Sequence, residues 1–201
     1  MMAKAYVVST CDTKGAELRY MKGLLEAAGS ETCLVDVGTG SPDTGSVDVS
    51  AEEVASHHPD GVGAVLGGDD RGRAVSAMAE AFAQFVQTRS DIGGMIGAGG
   101  SGNTALAATG MRALPLGVPK ILVSTVASGD VAPYVGPNDI AMVYSVADIA
   151  GLNPITRAVL GNAAHALAGM MAHSVPDTAE EKPAIGLTMF GVTTDCVDQV
   201  R

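Results

Sequence analysis

The sequence contains no tryptophan, and aromatic residues make up only 3% of its 201 residues. Its core must therefore be built from aliphatic side chains and methionine, which is feasible because hydrophobic residues reach 47%. A chain of this length buries roughly 70% of the surface that it exposes when unfolded. Because charged residues are also few, at 17%, the composition is typical of a folded globular protein and not of a disordered one.

Basic residues are scarce and scattered: 12 Lys and Arg stand against 22 Asp and Glu, a formal net charge of −10. We therefore expect no nucleic-acid partner and no binding to an anionic membrane. No apolar run approaches the roughly 18 residues of a membrane span, and Ala5–Ser9 is too short for a signal-peptide core. The three cysteines form no paired motif, which indicates reduced thiols and a cytoplasmic location.

A Walker A lysine is absent, because no G-x-x-x-x-G-K-[ST] segment occurs in the chain. Instead, a glycine turn, Gly97–Asn103, lies between an apolar run at Gly94–Ile96 and a helical segment at Thr104–Met111. A strand, a turn and a helix start in this order surround an anion with backbone amides at the positive end of the helix dipole. We interpret the glycine turn as a phosphate site, with a ligand-free strand–helix turn as the alternative. Ser101 is expected to cap the helix or to donate its hydroxyl to the ligand.

The glycine turn also matches the G-x-G-x-x-G pattern of dinucleotide-binding folds, through Gly97, Gly99 and Gly102. Such sites carry an acid about 20 residues further on, where the next strand ends. Here that strand ends at Ser124-Thr125, and no acid precedes Asp130. An NAD(P)-binding oxidoreductase domain is therefore an alternative and not the first interpretation.

Apolar runs that suit strands alternate with segments of helical periodicity along the chain. This pattern predicts a Rossmann-like, three-layer α/β domain with a mostly parallel sheet. Asp70 and Asn153-Pro154 are expected helix starts, and Gly29 is the expected end of the first helix. Gly61–Leu66 suits either a strand or a loop, and we predict a loop. The predicted strands are Ala5–Ser9, Cys33–Val37, Gly94–Ile96, Ile121–Val123, Ile140–Tyr144 and Ala184–Phe190.

Residues 176–183 have the composition of a linker. We predict a nucleotide-binding α/β domain over residues 1–175, this linker over 176–183, and the start of a truncated second domain over 184–201. The last prediction rests on a strand and turn whose following helix has only begun at Arg201. A natural short tail is the alternative.

Three turns of similar composition follow predicted strands: Ser9–Lys14, Gly97–Asn103 and Ser124–Asp130. Because the carboxyl ends of parallel strands meet at one edge of a sheet, we expect these turns to form one pocket of N–H and O–H donors. Such a pocket suits a di- or triphosphate without a lysine. Asp12 is expected to bind a ribose or Mg²⁺, or to cap the first helix. Lys14 either reaches a phosphate or is an exposed surface lysine.

The sequence identifies no catalytic residue. No arrangement of Ser, His and Asp suits nucleophilic catalysis, and Cys11 has no base near it in the sequence. His57 and His58 are adjacent, so their side chains do not readily face one ion, and we predict no metal site. His165 is expected to be packed or exposed.

Several segments together are similar to a known family. They are Thr10–Lys14 with Glu17-Leu18, Asp70–Gly72, Gly99–Gly102, Leu114–Lys120, Ser124–Gly129 and Asp148–Asn153. On these segments, essentially the whole chain resembles the N-terminal domain of the family that contains the tomato mosaic virus resistance protein. The family is mostly microbial and otherwise uncharacterised, and its members are longer than this chain.

The resemblance implies a Rossmann-like domain that binds ATP, with or without Mg²⁺, and forms a homodimer. It implies no reaction, so whether the chain is an enzyme stays open. Asn103 replaces the second glycine of a commoner Gly-Gly-Ser-Gly-Gly pattern, and we expect binding to survive because asparagine tolerates a positive φ and can donate from its amide. A nucleotide-stabilised interaction module is a further alternative. By position, the implied nucleotide contacts are Thr13, Thr39, Gly99, Gly100, Ser101, Gly102, Asn103, Thr125, Ala127, Ser128, Gly129 and Asn153.

Overall fold

A parallel β-sheet of five strands, with helices on both faces, organises the part of the chain that the structure describes. The computed structural model describes residues 3–40, 45–68, 70–173 and 186–200. The strands are β1 (Lys4–Ser9), β2 (Thr32–Asp36), β3 (Ile92–Gly99), β4 (Lys120–Ser124) and β5 (Ala141–Tyr144). The α-helices are α1 (Cys11–Ala27), α2 (Ala51–Ala55), α3 (Val62–Leu66), α4 (Arg71–Gln87), α5 (Ser101–Arg112), α6 (Ala132–Val135), α7 (Pro154–Ala172) and α8 (Thr194–Val200). Two 3₁₀ turns cover Thr125–Ser128 and Gly191–Thr193.

The strands lie in the order β2-β1-β3-β4-β5, and every neighbouring pair is parallel. Val7 of β1 stands opposite Leu34 of β2 on one side and Ile96 of β3 on the other. The predicted Rossmann-like α/β architecture is therefore confirmed.

Two apolar layers cover the sheet, because alternate residues of a strand point to opposite faces. Tyr6 and Val8 of β1 are buried in the layer that contains α2, α3, α4 and α5. Ala5 and Val7 are buried in the opposite layer, against α1 and α7. Leu18, Met21 and Leu25 of α1 are fully buried in this second layer.

Helices α4 and α5 approach each other closely at Gly110. A Cβ atom on Gly110 would lie 2.1 Å from Cε1 of Phe82, which is itself fully buried. Only a residue without a side chain fits there, so this contact sets the spacing of the two helices.

A polar cluster closes the amino-terminal edge of the sheet. The Tyr6 hydroxyl donates a hydrogen bond to Asp91 Oδ1 at 2.8 Å. Arg89 Nε donates to the Tyr6 oxygen at 2.9 Å and lies 3.3 Å from Asp91 Oδ1, and Lys4 Nζ lies 3.4 Å from Asp91 Oδ2. Asp91 is only 4% exposed, so its charge is stabilised by these partners instead of by water.

The predicted helix starts at Asp70 and Asn153 are confirmed. Asp70 accepts hydrogen bonds from the amides of Gly72 and Arg73, and Asn153 forms a capping box with Thr156 ahead of Pro154. Gly29 has a φ of 89° just after α1, as expected for the residue that ends a helix.

The predicted loop at Gly61–Leu66 is wrong, because Val62–Leu66 forms helix α3. Gly61 takes a φ of 77°, and the helix that follows it buries Val65 in the core. Burial of that side chain outweighs the low helix propensity of Gly63.

The predicted strand at Ala184–Phe190 is wrong over the part that is described. Residues 186–190 form no strand, since no neighbouring strand pairs with them, and Leu187, Met189 and Phe190 are exposed. The predicted linker at 176–183 lies outside the described residues, as do Ala184 and Ile185. The division into domains therefore stays a prediction.

Candidate functional site

The strand order places a crevice between the carboxyl ends of β1 and β3. Strands β1 and β3 are neighbours in the sheet. After β1 the chain forms β2, which lies beside β1 and away from β3, whereas after β3 it forms β4, which lies beside β3 and away from β1. The helices that follow these two strands therefore cover opposite faces and leave a gap at the strand ends. Ligands of open α/β sheets bind at such a switch in strand order.

A cavity of about 390 Å³ opens at this crevice. It is bounded by the start of α1, the loop after β2, the start of α4 and the first turns of α5. Its described lining residues are Thr10, Asp12, Thr13, Thr39, Gly40, Gly68, Arg71, Ala74, Val75, Gly102, Asn103 and Leu106. Five of the predicted nucleotide contacts thus line one cavity: Asp12, Thr13, Thr39, Gly102 and Asn103.

The predicted bounds of the glycine turn, Gly97–Asn103, are wrong: Gly97–Gly99 end β3, Ser101–Asn103 begin α5, and Gly100 alone connects them. The name glycine turn is kept for this segment. Gly100 is the residue before the helix and has no side chain, so no side-chain cap binds the first amides of α5. Thr104 is the first residue whose amide bonds back, to the Gly100 carbonyl at 2.9 Å. The expected cap by Ser101 is wrong, because Ser101 is already helical, and its side chain is exposed. The start of α5 therefore offers backbone amides at the positive end of its dipole.

Asn103 connects the glycine turn to the turn after β1. Its side-chain Nδ2 donates hydrogen bonds to Ser9 Oγ and to Thr10 Oγ1, both at 3.0 Å. The hydroxyl oxygens of Thr10 and Thr13 lie 2.7 Å apart. Asn103 keeps ordinary helical geometry, so it uses its amide within the protein and not a positive φ. These bonds hold the side chains of Thr10, Thr13 and Asn103 on one wall of the cavity.

The carboxylates at the ends of β1 and β2 have different roles. Asp36 Oδ1 accepts the amides of Cys11 at 2.9 Å and Gly38 at 2.8 Å, and thereby binds the start of α1. Asp12 is exposed and faces the cavity beside Gly40, where a Cβ atom would come within 2.5 Å of Asp12 Oδ2. Asp36, which is buried, therefore does the capping that was one of the two roles expected for Asp12.

The third predicted turn lies beside the cavity but does not line it. Thr125–Ser128 forms a 3₁₀ turn, in which the Val126 amide donates a hydrogen bond to Ser124 Oγ at 3.2 Å. Ser124 Oγ lies 2.6 Å from Thr104 Oγ1, and a Cβ atom on Gly100 would lie 3.8 Å from Thr125 Oγ1. This turn is therefore next to the glycine turn, and the contacts predicted for Thr125, Ala127, Ser128 and Gly129 stay predictions, as do those of Gly99, Gly100 and Ser101.

Other candidate residues are engaged elsewhere. Lys14 Nζ donates to the carbonyl of Ile149 in the loop before α7, so it is not directed at the cavity. Asn153 accepts the amides of Ile155 and Thr156 and caps α7. Its predicted nucleotide contact stays a prediction, with the side-chain oxygen already bonded within the protein.

The two adjacent histidines pack on the outside of the core. The His57 ring meets the Phe85 ring edge-on, with the ring centroids 5.3 Å apart. His58 Nε2 lies 3.7 Å from Glu80 Oε2. His165 is exposed on α7. Among the described residues 3–40, 45–68, 70–173 and 186–200, no group of three or more His, Cys, Asp or Glu side chains could hold a metal ion.

Sequence reasoning missed the contribution of α4 to the site. Arg71, Ala74 and Val75 line the cavity, together with Gly68 in the loop before α4. The signal was present in the segment Asp70-Arg71-Gly72, which carries part of the family resemblance, but only Asp70 was assigned a role, as a helix start. Arg71 is the one cationic side chain among the described lining residues.

One protein family matches most of the chain. The model of the N-terminal domain of an uncharacterised protein family, UPF0261, matches residues 3–176. The chain belongs to the UPF0261 family. The family predicted from the sequence is therefore confirmed.

Individual UPF0261 relatives cover this chain almost completely. It is 57% identical over 199 residues to a UPF0261 protein of Mesorhizobium japonicum, across 99% of this chain and 50% of that protein. It is 43% identical over 201 residues to one of Clostridium tetani, across 98% of this chain and 50% of that protein. It is 36% identical over 222 residues to the ToMV resistance protein Tm-1 of Solanum lycopersicum, across 98% of this chain and 29% of that protein. The chain thus spans about half the length of these bacterial relatives.

In the described part of the chain, none of the helices combines the length and the apolar character needed to cross a bilayer.

Proposed function

We propose that the chain is a nucleotide-binding domain that holds ATP by its polyphosphate at the crevice between β1 and β3. The observation that carries this proposal is the position of the cavity at the switch in strand order. Its volume of about 390 Å³ falls within the range of roughly 300–1,000 Å³ that is usual for small-molecule sites.

The residues present fit a polyphosphate. The start of α5 supplies amides that no side chain caps, and a Cβ atom on Gly102 would meet nothing within 4 Å, which leaves space for a close approach. The hydroxyls of Thr10 and Thr13 lie on the adjacent wall, and the one proton that their mutual hydrogen bond does not use adds a donor there. Asp12 and Thr39, further along the cavity, would face the ribose or a Mg²⁺ ion bound with the phosphates. We include the neighbouring Thr125–Gly129 turn as a second set of phosphate donors.

An NAD(P)-binding site is the second candidate, because of the G-x-G-x-x-G match in the glycine turn. An acid that binds ribose hydroxyls at the end of a neighbouring strand is part of such sites. Asp36 ends β2, but it is buried and its Oδ1 already accepts two backbone amides. This arrangement favours ATP over NAD(P).

Thermal unfolding in the presence of nucleotides tests the proposal. ATP at 100 times its dissociation constant should add about 2.7 kcal/mol to the free energy of unfolding and raise the melting temperature. ATP, ADP, AMP, NAD and NADP are compared, each with and without Mg²⁺. A rise with NAD but not ATP would select the second candidate, and the absence of any rise would refute nucleotide binding.

We also propose, from the family resemblance, that the domain forms a homodimer and acts together with the further residues that its bacterial relatives contain. The cysteines of the sequence, which form no paired motif, support a cytoplasmic location. Light scattering of the purified chain gives its molar mass in solution and hence the number of chains in the assembly. ATP hydrolysis is then measured for a full-length relative and for the isolated chain. Hydrolysis would indicate an enzyme, whereas binding without hydrolysis would indicate an interaction module that the nucleotide stabilises.

A further inference from the structure

The candidate site has an electrostatic problem that its backbone amides do not solve. The chain carries a net charge of −10, and Asp12 adds a carboxylate to the cavity wall. A nucleoside triphosphate brings several further negative charges. A charged group at a helix start gains about 0.3–1 kcal/mol near the surface, so a full positive charge beside the amides would strengthen phosphate binding further.

One side chain of the cavity meets this need. Of the described residues that line it, Arg71 is the only cation and Asp12 the only anion. Lys14, the basic residue nearest to Thr13 in sequence, is held by the Ile149 carbonyl. Within the described ranges Arg71 makes no ion pair, and its side chain is exposed, so the guanidinium is available to a ligand.

The backbone at Arg71 is held in place although its side chain is not. Asp70 accepts the amides of Gly72 at 2.9 Å and Arg73 at 3.1 Å, which fixes the first turn of α4. Arg71 is the first residue of that turn. Its planar guanidinium carries five N–H donors, and its fork geometry matches two oxygens of a phosphate group.

We propose that Arg71 binds the phosphates of the nucleotide directly and makes affinity rise with the number of phosphates. This inference rests on the proposed function and adds to it the residue that distinguishes a triphosphate from a nucleoside. The ligand lies between α4 and α5, with its phosphates against Gly102, Thr13 and Arg71.

Arg73 provides a matched control. It lies in the same turn of α4 and is also exposed, but it lines a neighbouring cavity of about 280 Å³ that shares Gly68 and Ala74 with the candidate site and does not include Arg71. Arg71→Ala and Arg73→Ala therefore remove the same charge from the same helix end. Both variants should unfold at the same temperature as the unmodified chain when no nucleotide is present.

Isothermal titration of the purified chain with ATP, ADP, AMP and adenosine tests the inference. Arg71→Ala should weaken ATP binding by about tenfold or more, the range expected for a charge-assisted pair. The loss should shrink from ATP through ADP to AMP and vanish for adenosine. Arg71→Lys should retain part of the affinity, because it keeps the charge but not the fork. Arg73→Ala should bind ATP as the unmodified chain does.

The outcomes separate this inference from the function on which it rests. If the unmodified chain binds ATP and Arg71→Ala binds it equally well, the role of Arg71 is refuted and nucleotide binding stands. Equal losses for Arg71→Ala and Arg73→Ala would also refute it, because only the net charge would then matter. If the unmodified chain binds none of the four ligands, both proposals fail.

Discussion

Asn103 and Thr10 are joined by a hydrogen bond of 3.0 Å from the side-chain amide to the hydroxyl oxygen. The bond crosses from the first turn of α5 to the residue between β1 and α1, which are far apart in the sequence. Thr10 in turn lies 2.7 Å from the hydroxyl oxygen of Thr13. The Asn103 side chain therefore links the two turns that meet at the cavity, in addition to the pairing of β1 with β3.

Replacing Asn103 with alanine should loosen this junction. The variant loses the two hydrogen bonds to Ser9 and Thr10, which together should lower the free energy of unfolding by about 1–2 kcal/mol. ATP affinity should fall as well, because the threonine hydroxyls are no longer held. Urea unfolding and nucleotide titration measure the two effects. Ser76→Ala is the control, since its exposed hydroxyl donates to the Gly72 carbonyl within α4, away from this junction; equal stabilities of the two variants would contradict the prediction.

Alanine substitution at two positions of the glycine turn should have different effects on stability. A Cβ atom on Gly99 would lie 2.4 Å from the Cβ atom of Asn103, so Gly99→Ala should destabilise the fold by about 1–3 kcal/mol. A Cβ atom on Gly102 has nothing within 4 Å, so Gly102→Ala should leave unfolding almost unchanged. The methyl group nevertheless enters the cavity and should weaken ATP binding. Thermal unfolding with and without ATP measures both responses, and a stable Gly99→Ala variant would count against the close packing.

Acid should destabilise the protein through Asp91. Burial opposes the ionisation of this carboxyl, but hydrogen bonds from Tyr6 and Arg89 and the charge of Arg89 outweigh it and lower its pKa below the ordinary 3.8. A group with a lowered pKa in the folded state stabilises fully above its unfolded pKa. That contribution is lost as the pH falls from about 4 through the lower folded pKa.

Asp91→Asn should therefore unfold more easily at pH 7, by roughly 1–3 kcal/mol, yet lose less stability between pH 4.5 and pH 2. Tyr6→Phe should reduce the loss of stability over the same pH range by a smaller amount, since it removes one hydrogen bond to Asp91 and retains the ring. Urea unfolding across this pH range gives both curves. Parallel curves for Asp91→Asn and the unmodified chain would assign the acid sensitivity to other carboxyl groups.

Most of the fold was predictable because local signals agreed with one another. Apolar runs followed by hydroxyl residues marked the ends of β1 and β4, and Asp70 and Asn153 marked helix starts that the structure confirms. The end of β3 was placed too early, at Ile96 instead of Gly99, because glycines in a strand read as a turn. Gly61–Leu66 was assigned wrongly because its glycines hid a helix that tertiary packing of Val65 stabilises. The strand order could not be read from the sequence, since it depends on long-range pairing.

The site was predictable only where it follows a strand. Asp12, Thr13, Gly102 and Asn103 come directly after β1 or β3, and the cavity contains them. Arg71 begins a helix that no strand immediately precedes, so no sequence rule connected it with the strand ends. Its position depends on how α4 packs beside α5, which is set by contacts distant in sequence.

The close contact of Phe82 with Gly110 has a consequence for the kinetics of ligand capture. Because the two helices already touch at this point, we do not expect them to move closer there when a ligand binds. Association should then require only the ordering of one long side chain, with no hinge motion to limit its rate. Capture of a nucleotide should accordingly proceed in a single kinetic phase whose rate rises linearly with ligand concentration.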